Sequence, residues 1–387
     1  MTAAIIIFIC ILLLLAYVFD VSSPLTKIPS VILLLILGWS VRQFTLGLNV
    51  HIPDLNPLLP FLGTIGLILI VLEGALELEL NQSKINVIKK STFLALLPML
   101  LFAFGLAYFI YFWTNVSFKL ALINAIPFSV ISSAIAIPSV RNLREIDREF
   151  IIYESSLSDI FGVLFFNFIA LNEVINGGTF GTFFIQLLII IVISFVAVLG
   201  LSFLLSRIKH HITFAPIILM VILIYAVSKY YHLPGLIFIL VFGLFLGNLD
   251  ELKNFKWIDK LRPEKLNKEI IKFKEITTEA TFLVRALFFI IFGFLIEIKD
   301  IMNIDTFLWA GGIVIFILAL RWLFVSITKL PKSPLLFIAP RGLITILLFL
   351  SIIPDQSITL INKSLVIQTI VLSVIVMMFG LFNKSKA

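Results

Sequence analysis

Charge is scarce in this chain. Only 13% of its 387 residues are Asp, Glu, Lys or Arg, against 61% hydrophobic residues. A soluble domain of that length needs far more polar surface to cover its core. Cysteine is nearly missing too: Cys10 alone excludes an intramolecular disulfide and a cysteine-built metal site. The four histidines, at 51, 210, 211 and 232, form no spaced ligand motif and read as interfacial. HExxH, GxSxG and paired Asp-rich motifs do not occur. That argues against a membrane-embedded hydrolase or lipid-modifying transferase, and no enzyme is expected. The net charge of +7 does not call for nucleic acid, because membrane topology accounts for it.

What the chain has in place of charge is apolar length. Runs of about 20 apolar residues, each sufficient to cross a hydrocarbon core, recur from end to end. The opening "MTAAIIIFICILLLLAYVFD" lacks a basic leader region and a convincing cleavage site, so it reads as a retained first span. The expected fold is an all-α polytopic membrane protein of about 13 transmembrane helices. They lie near 3–20, 28–41, 58–76, 92–112, 118–140, 148–171, 180–206, 212–229, 234–249, 276–297, 306–328, 334–353 and 364–382. Alternate loops and the C-terminal tail hold 21 of the 29 Lys and Arg, the opposite loops hold five, and Arg285, Arg321 and Arg341 fall inside spans. By the positive-inside rule the N-terminus is outside and the C-terminus cytoplasmic. The stretch 250–275, eight basic and six acidic residues among scattered apolar ones, reads as a cytoplasmic linker.

Two spans are interrupted. The fifth carries Pro127, Pro138 and the hydroxyls Ser129, Ser132 and Ser133; the twelfth carries Pro340, Arg341 and Gly342. Proline inside a membrane frees backbone carbonyls that protein, water or an ion must satisfy. Broken helices at corresponding places in two inverted halves point to a transporter's binding site. Spans 5 and 12 are seven apart, and that odd offset gives them the opposite directions an inverted repeat demands.

Next to the first break stands "YESSLSDIFG", residues 153–162. An ionisable side chain at mid-bilayer costs about 3 kcal/mol and is a functional candidate by default. Ser155 and Asp159 share one helix face, with Ser156 beside them, whereas Glu154 lies about 140° around the helix. One carboxylate can be held in a structural pair while the other titrates. Arg341 is the expected partner of Glu154, since a buried guanidinium also needs a counter-charge. Asp159, among hydroxyls and freed carbonyls, offers the hard oxygen ligands that a small cation takes. Glu73, Glu279 and Arg285 are further in-span charges, with Arg285 expected to pair with Glu73 or Glu279. Arg321 reads equally as a helix-end anchor or a buried pair. Gly243 and Gly247 form a GxxxG, a signal of close packing or a dimer contact.

These residues resemble the monovalent cation/proton antiporter superfamily, the NhaP-type Na⁺/H⁺ exchangers and their Kef-like relatives. "ESSLSD" is similar to the family's "ES-L-ND" signature and "PRGLI" to its "RG" motif. "LILIVLEGALELEL" (67–80) is similar to its third-span acidic segment, and "FFIIFGFLI" (288–296) to its tenth-span pattern. The resemblance implies a monovalent cation:proton antiporter that exchanges Na⁺ or K⁺ for H⁺ by alternating access and needs no cofactor. It makes Asp159 the essential carboxylate, with Ser155 as a cation ligand and Ser158, Ser132 and Ser133 completing the site. It pairs Glu154 with Arg341 and places Glu73, Arg285 and Glu279 on the gate side. It further implies gate and dimerisation spans in 1–76 and 212–297, core transport spans in 92–171 and 306–382, a linking span at 180–206, and a homodimer. A short chain of this kind suits a prokaryotic cytoplasmic membrane.

Two departures stand out. Ser158 replaces the Asn or Asp that precedes the essential Asp in relatives, and Ser132, Ser133 and Ala134 replace the "TDP" motif of span 5. With one titrating carboxylate, the exchange is expected to be electroneutral. A cation channel and a non-transporting membrane relative are the alternative readings.

Overall fold

The computed structural model describes residues 2–26, 28–49, 52–80, 82–207, 214–231, 233, 235–249 and 263–383. The four histidines and residues 250–262 of the linker lie outside them. The described chain is all helix, with no strand. In order, the helices are α1 (Thr2–Thr26), α2 (Ser30–Gly47), α3 (Leu58–Glu77), α4 (Ile85–Thr114), α5 (Phe118–Ala125) and α6 (Ser133–Ser139). They continue with α7 (Glu145–Leu171), α8 (Gly177–Arg207), α9 (Phe214–Tyr230), α10 (Gly235–Gly247) and α11 (Pro263–Phe294). The last are α12 (Ile298–Ile301), α13 (Ile304–Ile327), α14 (Lys332–Leu335), α15 (Leu343–Leu350) and α16 (Lys363–Asn383).

Among the described residues ten helices are long and apolar enough to cross a membrane, counting α5 and α6 together as Phe118–Ser139. α9 and α10 are shorter apolar helices, and α14 and α15 flank an interrupted stretch. Each expected span therefore coincides with a helix or a broken pair. The largest shift of a boundary is at α11, where residues 263–275, expected in the linker, form the first turns.

Both interruptions follow from the sequence around their prolines. α5 starts on Ser117, whose hydroxyl accepts the Leu120 N–H at 3.3 Å. It tightens into a 3₁₀ turn at Ile126–Phe128, where Pro127 supplies no N–H, and residues 129–132 are irregular before α6 begins. In the second break the chain is irregular from Leu336 to Gly342. The two breaks meet: the Ser132 N–H donates to the Pro340 carbonyl at 2.9 Å. Gly342 suits the close approach there, since a Cβ would fall 2.5 Å from Ile135 Cδ1 and 2.8 Å from Ser132 Oγ and one of those side chains would have to shift.

The chain forms two compact units. The first comprises residues 1–64, 90–166 and 283–387 and contains both breaks. In it α2 and α11 approach at backbone distance, with Gly38 against the Ile290 carbonyl and Gly293 against that of Leu35. α13 packs on α16, and α6 touches α1 and α2. The second comprises residues 65–89 and 167–282. There α10 packs on α8 and α9. Gly243 and Gly247 lie against Ala75 and Leu76 of α3, so the GxxxG serves close packing within the chain. The Asn248 amide closes the same contact, donating to the Leu78 carbonyl at 2.7 Å. One face of α8 (Phe184, Leu188, Val192, Val196) is exposed and wholly apolar, as a helix facing lipid must be.

Candidate functional site

α7 brings the acidic motif alongside the first break. Glu154, Ser155, Ser156, Ser158 and Asp159 are all buried, none more than 2% exposed. A backbone group of the break is satisfied by α7: Ile131 N–H donates to Ser158 Oγ at 3.0 Å. Asp159 reaches the start of α6, where its Oδ2 accepts a short hydrogen bond from Ser133 Oγ. Among the described residues, Asp159 Oδ1 has no hydrogen-bond partner, nor do the buried hydroxyls of Ser132 and Ser156. Ser156 sits three residues before Asp159, on the same helix face. The site thus combines one carboxylate oxygen held by a hydroxyl, one oxygen free to bind, and two uncommitted hydroxyls.

No group of three or more His, Cys, Asp or Glu that could hold a metal ion occurs among the described residues. What gathers here is a single carboxylate with hydroxyl oxygens. That is a hard-oxygen environment, unlike the nitrogen and sulfur sets that hold zinc or copper.

The structure redistributes several of the expected roles. Ser155, expected as a cation ligand, turns its hydroxyl back along α7 to the Ile151 carbonyl at 2.7 Å. Such a bond is an ordinary way for serine to be satisfied within a helix. Ser132 and Ser133 lie at the break as expected, and Ser158 braces it.

The Glu154–Arg341 pair is corrected. Glu154 is held by Arg321 of α13 in a bidentate pair, with Nη1 on Oε1 at 2.7 Å and Nη2 on Oε2 at 2.8 Å. Arg321 Nε also donates to the Leu335 carbonyl at 2.6 Å. Arg341 is held by carbonyls that the breaks release: Nε donates to Phe128 O at 2.5 Å and Nη1 to Ala339 O at 3.0 Å. Its guanidinium carbon lies 5.9 Å from the centre of the Phe102 ring, within cation–π range. The physical reason is direction. Arg341 follows Pro340 in irregular chain, so helical spacing does not govern where it points, whereas Arg321 sits on an unbroken helix facing Glu154.

Of the gate-side charges, Arg285 is 7% exposed and donates from Nη2 to Asp20 Oδ1 at 3.4 Å. Arg141 takes the other oxygen of Asp20 at 3.1 Å, and Ser30 also donates to Oδ1, at 3.3 Å. Asp20, near the end of the first span, is a partner of Arg285 that sequence reasoning did not name. Glu73 is half-buried and Glu279 exposed, both within the second compact unit.

The profile of the family described as sodium/hydrogen exchanger, transmembrane, matches residues 9–383. The chain belongs to the sodium/hydrogen exchanger family. It is thereby an integral, multi-pass membrane protein of a cation/proton antiporter family, whose members need no cofactor and carry their ions as substrates. Its fold is similar to that of the sodium proton antiporter MjNhaP1 from Methanocaldococcus jannaschii at pH 8, with a TM-score of 0.72 and 20% identity, over 97% of this chain and 98% of that one. An electron-microscopy map of the same antiporter matches with a TM-score of 0.67 at 18% identity, over 100% of this chain and 96% of that one. At such identities the likeness concerns the fold. No curated protein matches the chain by sequence.

Proposed function

We propose that this family member exchanges Na⁺ for H⁺, one for one and without net charge movement, at a single carboxylate, Asp159. The observation that carries this reading is the state of that side chain. It is buried at the meeting of two interrupted helices, with one oxygen on Ser133 and the other uncommitted. A cation and a proton compete for the same oxygen, so binding of either expels the other. Exchange follows if the site crosses readily only when loaded, because carrying a bare carboxylate through an apolar barrier is costly.

Electroneutrality is supported by what surrounds Asp159. Ser158 brings no second acid, and Glu154 is neutralised by Arg321. Only one charge therefore changes hands in each half-cycle. Na⁺ rather than K⁺ is the first candidate, given the family and the named substrate of MjNhaP1. We further propose that the spans in 92–171 and 306–382 move against gate spans in 1–76 and 212–297. The same reading includes 180–206 as the linking span, a homodimer, an outside N-terminus, a cytoplasmic C-terminus and a prokaryotic cytoplasmic membrane. The alternation of basic loops supports that orientation.

The test uses proteoliposomes with an internal pH dye and a clamped membrane potential. Wild type and Asp159→Asn are compared as Na⁺, K⁺ or Li⁺ is added outside. Proton movement that follows Na⁺, ignores the potential and vanishes in Asp159→Asn is the expected result. Proton movement unchanged in the variant overturns the single-carboxylate reading, and cation flux without protons points to a channel.

A further inference from the structure

One cavity of the first compact unit lies against two buried arginines, Arg321 and Arg341. It leaves about 30 Å³ for the centres of water-sized molecules, roughly twice what one water needs on that measure. Its apolar wall comes from α4, with Ala95, Met99 and Phe102; its polar wall is Ser129, Ser158, Arg321 and Arg341.

The two guanidiniums differ in the donors they still offer. Every nitrogen of Arg321 has an acceptor, in Glu154 or in the Leu335 carbonyl. Arg341 uses Nε and Nη1 on carbonyls, and no described residue accepts a hydrogen bond from its Nη2. Ser158 accepts from the Ile131 N–H, and its own hydroxyl hydrogen has no acceptor among the described residues. Arg341 and Ser158 are 3% and 1% exposed, so what they face is the cavity and not bulk water.

Charge points the same way. The buried ionisable groups around the two breaks are Glu154, Asp159, Arg321 and Arg341. Glu154 neutralises Arg321. No ion pair among the described residues includes Arg341. On the reading of Asp159 proposed above, a bound proton or cation cancels the remaining negative charge, and Arg341 is left as an unbalanced buried cation. Such a charge is costly unless it acquires a counter-ion.

We propose that this cavity binds a small inorganic monovalent anion, a halide, on Arg341 Nη2 and the Ser158 hydroxyl. A halide is a single sphere somewhat wider than a water, needs no more of the space than about two waters take, and accepts from both donors. Held there, it keeps the loaded site neutral as it crosses.

The direct test is crystallographic, and it does not depend on transport. The full chain is crystallised in potassium bromide and data are collected at the bromine absorption edge. The expected result is one anomalous peak in contact with Arg341 Nη2. Ala95→Leu, which fills the cavity from the α4 wall, abolishes the peak. In solution, the wild-type melting temperature is higher by about 2 °C in about 0.2 M potassium bromide than in potassium gluconate, and the difference disappears in Ala95→Leu. Should that variant fail to fold, the wild-type peak and melting shift decide. Three outcomes overturn the proposal: no anomalous peak in the cavity, a peak that survives Ala95→Leu, or equal wild-type melting temperatures in the two salts.

Discussion

Arg321 and Arg341 are both buried guanidiniums, 5% and 3% exposed, yet they are held by different means. Arg321 projects from α13, a helix without interruption, whose carbonyls are used by its own ladder. A cation on such a helix must find acceptors elsewhere, and Arg321 takes both oxygens of Glu154. Arg341 lies inside a break, where the chain has released its own carbonyls, and it bonds to Ala339 in that break and to Phe128 in the other. A regular membrane helix therefore calls for a counter-charge. A broken one supplies carbonyl dipoles, here for two of the three guanidinium nitrogens. The same chain uses both solutions close to one carboxylate, Asp159, and leaves that carboxylate without an arginine.

The sharpest way to break this comparison is to remove Arg321. Arg321→Met strands Glu154 as a buried unpaired carboxylate and is expected to destabilise the protein by about 3–5 kcal/mol, read by thermal denaturation. Adding Glu154→Leu recovers most of that loss, because an ion pair and an apolar pair of similar size are nearly equivalent in the interior. Arg341→Met is expected to cost less, about 2 kcal/mol, because it strands carbonyls instead of a charge. An Arg341→Met loss as large as that of Arg321→Met shows that Arg341 also neutralises Glu154 at longer range, and the contrast between the two fails.

The same contrast can be sharpened with serines. Ser133 opens α6 at the edge of the first break and donates to Asp159, while Ser155 sits within unbroken α7 and bonds backwards to Ile151. Ser133→Ala is expected to change the half-saturating cation concentration by about tenfold, the scale of one charge-assisted hydrogen bond. Ser155→Ala is expected to change it much less. A larger effect at Ser155 restores it to the role implied by the family resemblance.

The smallest effect is expected outside the membrane, where water can replace either partner. Lys299 and Arg42 donate to Glu297 at 2.6 and 3.2 Å, and those bonds hold its carboxyl below the ordinary carboxylate range. A carboxyl lowered by folding stabilises the folded state above its unfolded pKa, and that contribution fades as pH falls through the folded value. Wild type is therefore expected to lose slightly more stability than Glu297→Gln on acidification below the usual carboxylate range. The two are expected to respond alike between pH 6 and pH 8. Parallel melting curves across the acid range remove Glu297 from the account.

Much of this was legible in the sequence because membranes restrict what a chain can do. Apolar length fixed the spans, prolines placed the breaks, and the two acids of "ESSLSD" divided into one held by an arginine and one with an uncommitted oxygen. What could not be read were partners set by helix packing. Glu154 and Arg321 are 167 residues apart, and nothing in either helix's own periodicity says which faces meet. Arg341 is adjacent to a proline, where helical periodicity no longer predicts direction. Asp20 was hidden for a simpler reason: a carboxylate near a span's end looks interfacial until a neighbour's arginine is seen to reach it. Ser155 and Ser133 differ in a rotamer that spacing does not contain.

The bond from Arg341 to the Phe128 carbonyl joins residues 213 positions apart, and it dates the assembly of the site during synthesis. At about 5–20 residues per second, roughly 10–40 s pass between the emergence of the first break and that of the arginine that satisfies it. Throughout that interval α5 and α6 are in the bilayer or its insertion machinery with polar backbone that has yet to meet its final partner. Asp159 thus acquires its surroundings only after nearly all of the protein has been made, and a ribosome that stops before the twelfth span leaves the first break without the segment that closes it.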